Sequence, residues 1–180
     1  MTFAETRLPG VYLITPNVFR DDRGSFAPVW LPDEFAANGL DPALAQGSLA
    51  TNRVRGTIRG LHYQEAPAGQ AKCVRVVRGA IFDVAVDLRP DSSTFRQWVG
   101  AELSADNHHM LYIPDGFAHG YQTLVDDASV FYFASAPWSP AHERGVRWDD
   151  PAFGIDWPIG APAAIHPRDA GYPDFAVSRP

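Results

Sequence analysis

Two basic side chains stand out in the stretch RGLHYQEAPAGQAK, because His62 and Lys72 sit in a region otherwise written largely in apolar residues, Gly and Gln. Further along, LYIPDGFAHGYQTL carries His119 behind a Pro-x-Gly turn, and ASVFYFAS carries Tyr132. One imidazole, one ammonium and one phenol suit the removal of a proton beside a carbonyl. That chemistry needs a base, a cation or donor for the developing enolate oxygen, and an acid on the opposite face to return the proton. An imidazole titrates close to working pH, and a carboxylate behind it fixes its tautomer and raises its basicity.

A metal would be the other use for such histidines. The turn followed by His119 is similar to the second half of the cupin signature, whose metal-binding members add two closely spaced His and a Glu on an earlier strand. A divalent metal needs three or four converging N/O ligands. GLHYQEAPAG offers one His, with Gln64 where the second would fall and Glu65 near a Pro. His108 and His109 are expected on opposite strand faces or in a turn, where neighbours do not chelate together. No metal is expected, and a metal-dependent cupin oxygenase is the distant rival, separable by metal analysis of protein purified without added ions.

The elements that must position these groups belong to an aromatic-rich globular chain. It has 180 residues, 46% of them hydrophobic, with five Trp, six Tyr and eleven Phe, which excludes a disordered or fibrous polypeptide. A formal net charge of −6 argues against general affinity for nucleic acid or anionic membrane, so an anionic ligand needs a local basic pocket. The one cysteine, Cys73, fits a small core position and a reducing compartment. MTFAETRLPGVYLITPNVF does not read as a secretory signal and no window suggests a membrane span, so a cytoplasmic protein is expected. Turn signals about every ten residues and β-branched runs such as KCVRVVRGAIFDVAVDLR, QWVGAEL, HMLYIP, GYQTLV and ASVFYFAS predict one all-β domain over 1–180, a sandwich or barrel closed on itself. LPDEFAANGL reads as a short helix with Asp33 as cap and Gly39 as stop. The Pro-rich tail after Pro137 is too apolar for a free linker and is expected to wrap the barrel surface and mouth.

Strand parity places Lys72, Val74 and Val76 on one face, and Asp83, Ala85 and Asp87 on one face. If the two runs form a hairpin, Lys72 comes near an Asp. In VFYFA, Val130, Tyr132 and Ala134 face opposite to Phe131 and Phe133, and alternation alone leaves open which side is the cavity.

Ordered stretches now carry a more specific resemblance: DDRGSF, RGTIRGLHYQ, AKCVRVVRGAIFDVAVDLRPDSSTF, LSADN, YIPDGFAHGYQTL, GVRWDDPAFGIDWP and the RD of IHPRDAGYP. Together they span nearly the whole chain, which resembles the RmlC family, the dTDP-4-dehydrorhamnose 3,5-epimerases. The resemblance implies a cupin-type β-sandwich or jelly roll with a few short helices, a homodimer, a nucleotide-sugar substrate and no cofactor. It also implies His62 as base with Asp169 as its carboxylate, Lys72 beside the enolate oxygen, and Tyr132 as acid. It puts His119 in the same pocket, Arg23, Arg59 and Arg168 near the pyrophosphate, Phe26 and Gln46 at substrate-binding positions, and Trp138 against the base.

Arg59 and His62 differ by an odd number, so a flat strand would separate them. Gly60 offers a bulge or sharp twist that brings both to the cavity. Other positions depart from the family pattern. Pro28 replaces a Glu, QGSLATN keeps Gln46 but carries Ser48, Ala50 and Asn52 in place of Asn and two Ser, and His166 replaces a Ser. These departures leave the sugar and base open, including a 3- or 5-epimerase of another nucleoside diphosphate sugar. A non-catalytic sugar-binding cupin would need no acid opposite the base, and Tyr132 with Lys72 and the His62/Asp169 pair speaks against it.

Overall fold

The computed structural model describes residues 1–176. In chain order its elements are β1 (Thr2–Glu5), β2 (Tyr12–Thr15), β3 (Phe19–Asp21), β4 (Gly24–Phe26), α1 (Pro32–Ala37), β5 (Gln46–Asn52), β6 (Thr57–Gln64), β7 (Lys72–Arg78), β8 (Ala80–Asp87), β9 (Trp98–Ser104), β10 (Met110–Ile113), β11 (Phe117–Thr123), β12 (Ala128–Ala134), β13 (Glu143–Gly145), β14 (Ala164–Ile165) and α2 (Pro167–Ala170). Two sheets hold most of them. One runs β1-β2-β10-β7-β12-β5 and the other β13-β6-β11-β8-β9, all antiparallel, with β14 added parallel to β6. The β3–β4 hairpin forms a small sheet of its own. This is the antiparallel cupin-type sandwich expected.

Alternation decides what lies between the sheets. Val74, Val76, Leu111 and Val130 meet Ile81, Ala85, Leu103 and Phe117 there, all buried. Burying each such aliphatic side chain contributes about 1.5–3 kcal/mol. A second cluster covers the outer face of the β6 sheet, where Leu61, Val84 and Val86 pack against Val146, Phe153 and Trp157 of the tail. A third lies outside the β7 sheet: Phe35 of α1 packs with Cys73 and Tyr112, and Trp30 with Phe133. The tail therefore follows the sheet surface as its apolar content required. No helix among the described residues is long and apolar enough to cross a membrane.

Two expectations about local structure need correction. β7 and β8 do not form a hairpin, because Gly79, at φ +75°, carries the chain from one sheet to the other. The shared faces given by parity hold, and Lys72 and Asp83 reach the same interior from opposite walls. Nor does Asp33 cap α1. Leu31 occupies that position without a side-chain hydrogen bond, Pro32 follows it, and Asp33 and Glu34 sit in the first turn. Glu34 receives the N-terminal ammonium at 2.7 Å. Gly39 does end the helix, at φ +73°, with its N–H donating to Ala36 O.

Candidate active site

A cavity of about 800 Å³ opens between the sheets. It is lined by His62, Lys72, His119, Tyr132, Arg168 and Asp169, with Arg59, Gln46 and Trp138 also on its wall or rim. The β12 ambiguity is thereby settled: Tyr132 faces the interior, while Phe133 packs outside against Trp30.

Gly60 breaks the regular pleat of β6 between two residues of the cavity wall, Arg59 and His62. Its φ is +121°, and the β6–β11 register shifts between His119 and Tyr121. A Cβ on Gly60 would lie 2.6 Å from Gly120 Cα, and one on Gly120 would lie 2.7 Å from Arg59 O. Two glycines facing each other let the backbones close, and the irregularity turns both Arg59 and His62 to the cavity, as the odd spacing demanded.

His62 Nε2 lies 2.9 Å from Asp169 Oδ1, across 107 residues of sequence. The Gly60 N–H donates to Asp169 Oδ2 at 3.2 Å. Burial works to raise the Asp169 carboxyl, but the hydrogen bond and charge of His62, the Gly60 N–H and Arg168 outweigh it and hold the group below the usual carboxylate range. An Nε2–H donated to that carboxylate leaves Nδ1 as the nitrogen with a free lone pair. Arg168 Nη2 also stands 3.2 Å from Nε2. One ring nitrogen has a single in-plane site, so the shorter Asp169 contact is the hydrogen bond and the guanidinium is a charged neighbour.

His119 is the cross-strand partner of His62, and its Nε2 lies 2.8 Å from Asp83 Oδ1. Asp83 is fully buried, and its Oδ2 has no partner among the described residues. Burial pushes its carboxyl up against the opposing pull of His119 and Lys72. Lys72 Nζ donates to His62 O at 3.4 Å. Burial lowers the Lys72 ammonium to about 8, opposed by Glu143 and Asp83.

Around the mouth, Arg59 is held by Asn52, one of the residues that depart from the family pattern. Its Nε donates to Asn52 Oδ1 at 2.8 Å, and Tyr121 OH donates to the same oxygen at 3.3 Å. Gln46 Oε1 accepts from Trp138 N at 2.8 Å, which fixes the base of a Trp ring 55% exposed. His166 caps α2, its Nδ1 accepting from Arg168 N at 3.2 Å. Arg168 itself is drawn inward: Nη1 meets Glu143 Oε2 at 2.9 Å and Nε meets Asp169 Oδ1 at 3.3 Å.

Arg23 and Phe26 lie outside this pocket. Both belong to the β3–β4 hairpin, where Arg23 pairs with Asp21, its side chain 90% exposed, and Phe26 is 69% exposed. Short strands of mixed polar and aromatic residues give no indication of which surface they pack on. Glu143 is a site residue that sequence reasoning missed, while it offered Asn52 only as a departure from the family pattern and Asp83 only as an Asp that could come near Lys72. An acid inside the apolar run IFDVAVD was the available signal for Asp83, whereas nothing in the tail marked Glu143. Among the described residues, no three His, Cys, Asp or Glu side chains converge as a metal-binding group.

A double-sheet cupin whose cavity gathers imidazole, carboxylate, ammonium and phenol belongs with the sugar-nucleotide epimerases of that fold. The sequence agrees more narrowly: residues 5–177 match the model of the dTDP-4-dehydrorhamnose 3,5-epimerase family, and the chain belongs to that family. A dTDP-4-dehydrorhamnose 3,5-epimerase of Sinorhizobium fredii is 44% identical over 175 residues, covering 97% of this chain and 90% of the relative. The crystal structure of the Bacillus anthracis 3,5-epimerase with TDP and PPi bound superposes with a TM-score of 0.93 at 40% identity, covering 97% and 99% of the two chains. That of the Legionella pneumophila epimerase in complex with dTDP-4-keto-L-rhamnose gives 0.89 at 35% identity, covering 94% and 89%.

Proposed function

We propose that this protein inverts C3 and C5 of dTDP-4-dehydro-6-deoxy-D-glucose, yielding dTDP-4-dehydro-L-rhamnose without a cofactor. The observation that carries the reading is the His62–Asp169 pair at 2.9 Å on one wall of a cavity whose opposite wall bears Lys72 and Tyr132. His62 Nδ1 takes the proton from C3 or C5, and the C–H electron pair moves toward C4 to form an enolate. The Lys72 ammonium meets the charge on the enolate oxygen, which shifts the balance toward the transition state. Tyr132 delivers its proton from the other face, the centre inverts, and solvent resets both groups. Arg59 meets the pyrophosphate, for which a guanidinium fork is better suited than a point charge, and Trp138 stacks on the nucleobase.

The same proposal includes a cytoplasmic homodimer of this domain. Phe19 and Phe26 of the β3–β4 hairpin are 61% and 69% exposed, and Leu49 on the outer face of β5 is 62% exposed. Arg75 Nε, half-buried on the outside of β7, has no partner among the described residues. A second copy would cover these groups and bring Arg23 and Phe26 to a neighbouring mouth. Sedimentation of the free protein checks the dimer, and a monomer at micromolar concentration would remove it.

The function is tested by incubating a panel of nucleotide 4-keto sugars with the protein in deuterated water and following exchange by NMR. Deuterium entering both C3 and C5 of the dTDP sugar with inversion is the expected result. Exchange at one carbon would make the protein a mono-epimerase, and no exchange with any sugar would overturn the reading.

A further inference from the structure

Behind the dyad stands an aromatic ring that the proton-transfer scheme does not use. Tyr172 follows α2 directly, and its ring meets the His62 imidazole edge-on, with centroids 6.3 Å apart and planes at 76°. The same ring lies on the backbone of Gly145. A Cβ placed there would fall 2.1 Å from Tyr172 Cζ and 2.2 Å from Cε2. Gly145 is in turn the cross-strand partner of His62, so the ring occupies the space that a side chain beside the imidazole would take. Burial raises the Tyr172 phenol, Arg168 opposes it, and Asp169 and Glu143 raise it further, so the group is a neutral wedge among the charges of the site.

We propose that Tyr172 is a positioning residue: seated in the notch left by Gly145, its ring holds the His62 imidazole and α2 in the geometry that joins Asp169 to Nε2. An imidazole free to rotate about χ2 would lose the carboxylate and exchange tautomers. A ring set edge-on to the imidazole, seated on Gly145 and carried two residues beyond α2, removes that freedom. The mechanical part is the ring, not the hydroxyl. The activity arm of the test rests on the function proposed above, while the spectroscopic arm does not.

The variants are Tyr172→Ala, Tyr172→Phe, Gly145→Ala and the double variant Gly145→Ala/Tyr172→Ala. Tyr172→Ala is expected to lower kcat by about 10–100-fold with KM little changed, since small displacements of a reacting group cost that much. Tyr172→Phe restores the parent rate. Gly145→Ala displaces the ring and lowers kcat similarly, and the double variant falls no further than Tyr172→Ala alone, because the new methyl then has room. In parallel, two-bond ¹H–¹⁵N spectra of histidine-labelled protein report the His62 tautomer without any substrate. The parent is expected to show the Nε2–H form, and Tyr172→Ala a mixture. If Tyr172→Ala keeps both kcat and the His62 spectrum of the parent, or if the two single losses multiply in the double variant, Tyr172 does not position the base. If the parent exchanges no sugar, the proposed function fails while the spectra still decide the role of Tyr172.

Discussion

The cavity holds two histidine–carboxylate pairs that are neighbours in space and opposites in construction. Asp83 and His119 lie on adjacent strands of one sheet, β8 and β11, so the ladder itself brings them to 2.8 Å. Asp169 reaches His62 only because the tail crosses the outer sheet face, adds β14 alongside β6 and ends in a short helix at the mouth. The electrostatics divide the same way. Asp83 is fully buried and its carboxyl is pushed up, whereas Asp169 is held down by His62, the Gly60 N–H and Arg168 despite its own burial. A carboxylate kept ionised suits the stabilisation of an imidazolium that forms and discharges in each turnover. A carboxyl raised by burial suits a fixed framework role beside Lys72. The difference shows that the His62–Asp169 pair, the proposed base and its carboxylate, depends on tail docking, while the second pair depends on the sandwich alone.

Changing His62 to Asn should have the largest effect, abolishing deuterium exchange at both carbons in the NMR assay; exchange at the parent rate would remove the base assignment. Asp169→Asn comes next, with kcat down about 10²–10⁴-fold and an unchanged fold by circular dichroism. Tyr132→Phe should keep deuterium wash-in from the His62 face but slow inversion by a comparable factor, and full inversion at the parent rate would exclude two-face transfer. The other pair is sharpened by pH. Lys72, lowered by burial from 10.5 to about 8, bears its proton below that value and loses it above, so kcat/KM should fall as pH rises through about 8. Asp83→Asn removes a charge that raises Lys72, so the alkaline limb should move to lower pH, and a limb that stays in place would separate Asp83 from Lys72. The smallest effect is expected at the mouth: Asn52→Ser frees Arg59 from its 2.8 Å partner, and KM should rise by about threefold to tenfold, the net worth of one ordinary hydrogen bond.

Local pattern carried the interior of this protein well. Period-two alternation in β7, β8 and β12 grouped Lys72 with Val74 and Val76, Asp83 with Ala85 and Asp87, and Tyr132 with Val130 and Ala134, because successive residues of a strand point to opposite sides, but only the packed sheets decide that these groups face inward. It did not tell a hairpin from a sheet-to-sheet crossing at Arg78-Gly79, since both use a glycine turn between apolar strands. β5 was not among the clearest strands, because GSLA is small and weakly β-prone and gains its order from pairing with β12 along its length. The approach of Asp169 to His62 came from family resemblance, since no local rule connects residues 107 positions apart. Glu143 stayed hidden for a related reason: three-residue β13 exists only through its pairing with β6. Arg23 and Phe26 were assigned to a shared pocket, and the hairpin that carries them packs apart from their own chain's cavity.

The contact between Gly60 and Gly120 sets a limit on how this cavity could be reshaped. With a Cβ at either position falling within 2.7 Å of the opposing backbone, the spacing of β6 and β11 has no adjustable dimension, and a substitution there would push apart the strands that carry His62 and His119. Room for a bulkier sugar would have to come from β5, where Ala50 faces the cavity, or from the tail-built rim at Ala164 and His166. The strands that carry His62 and His119 are thus the least open to redesign, and the β5 and tail-built parts of the rim are the most open.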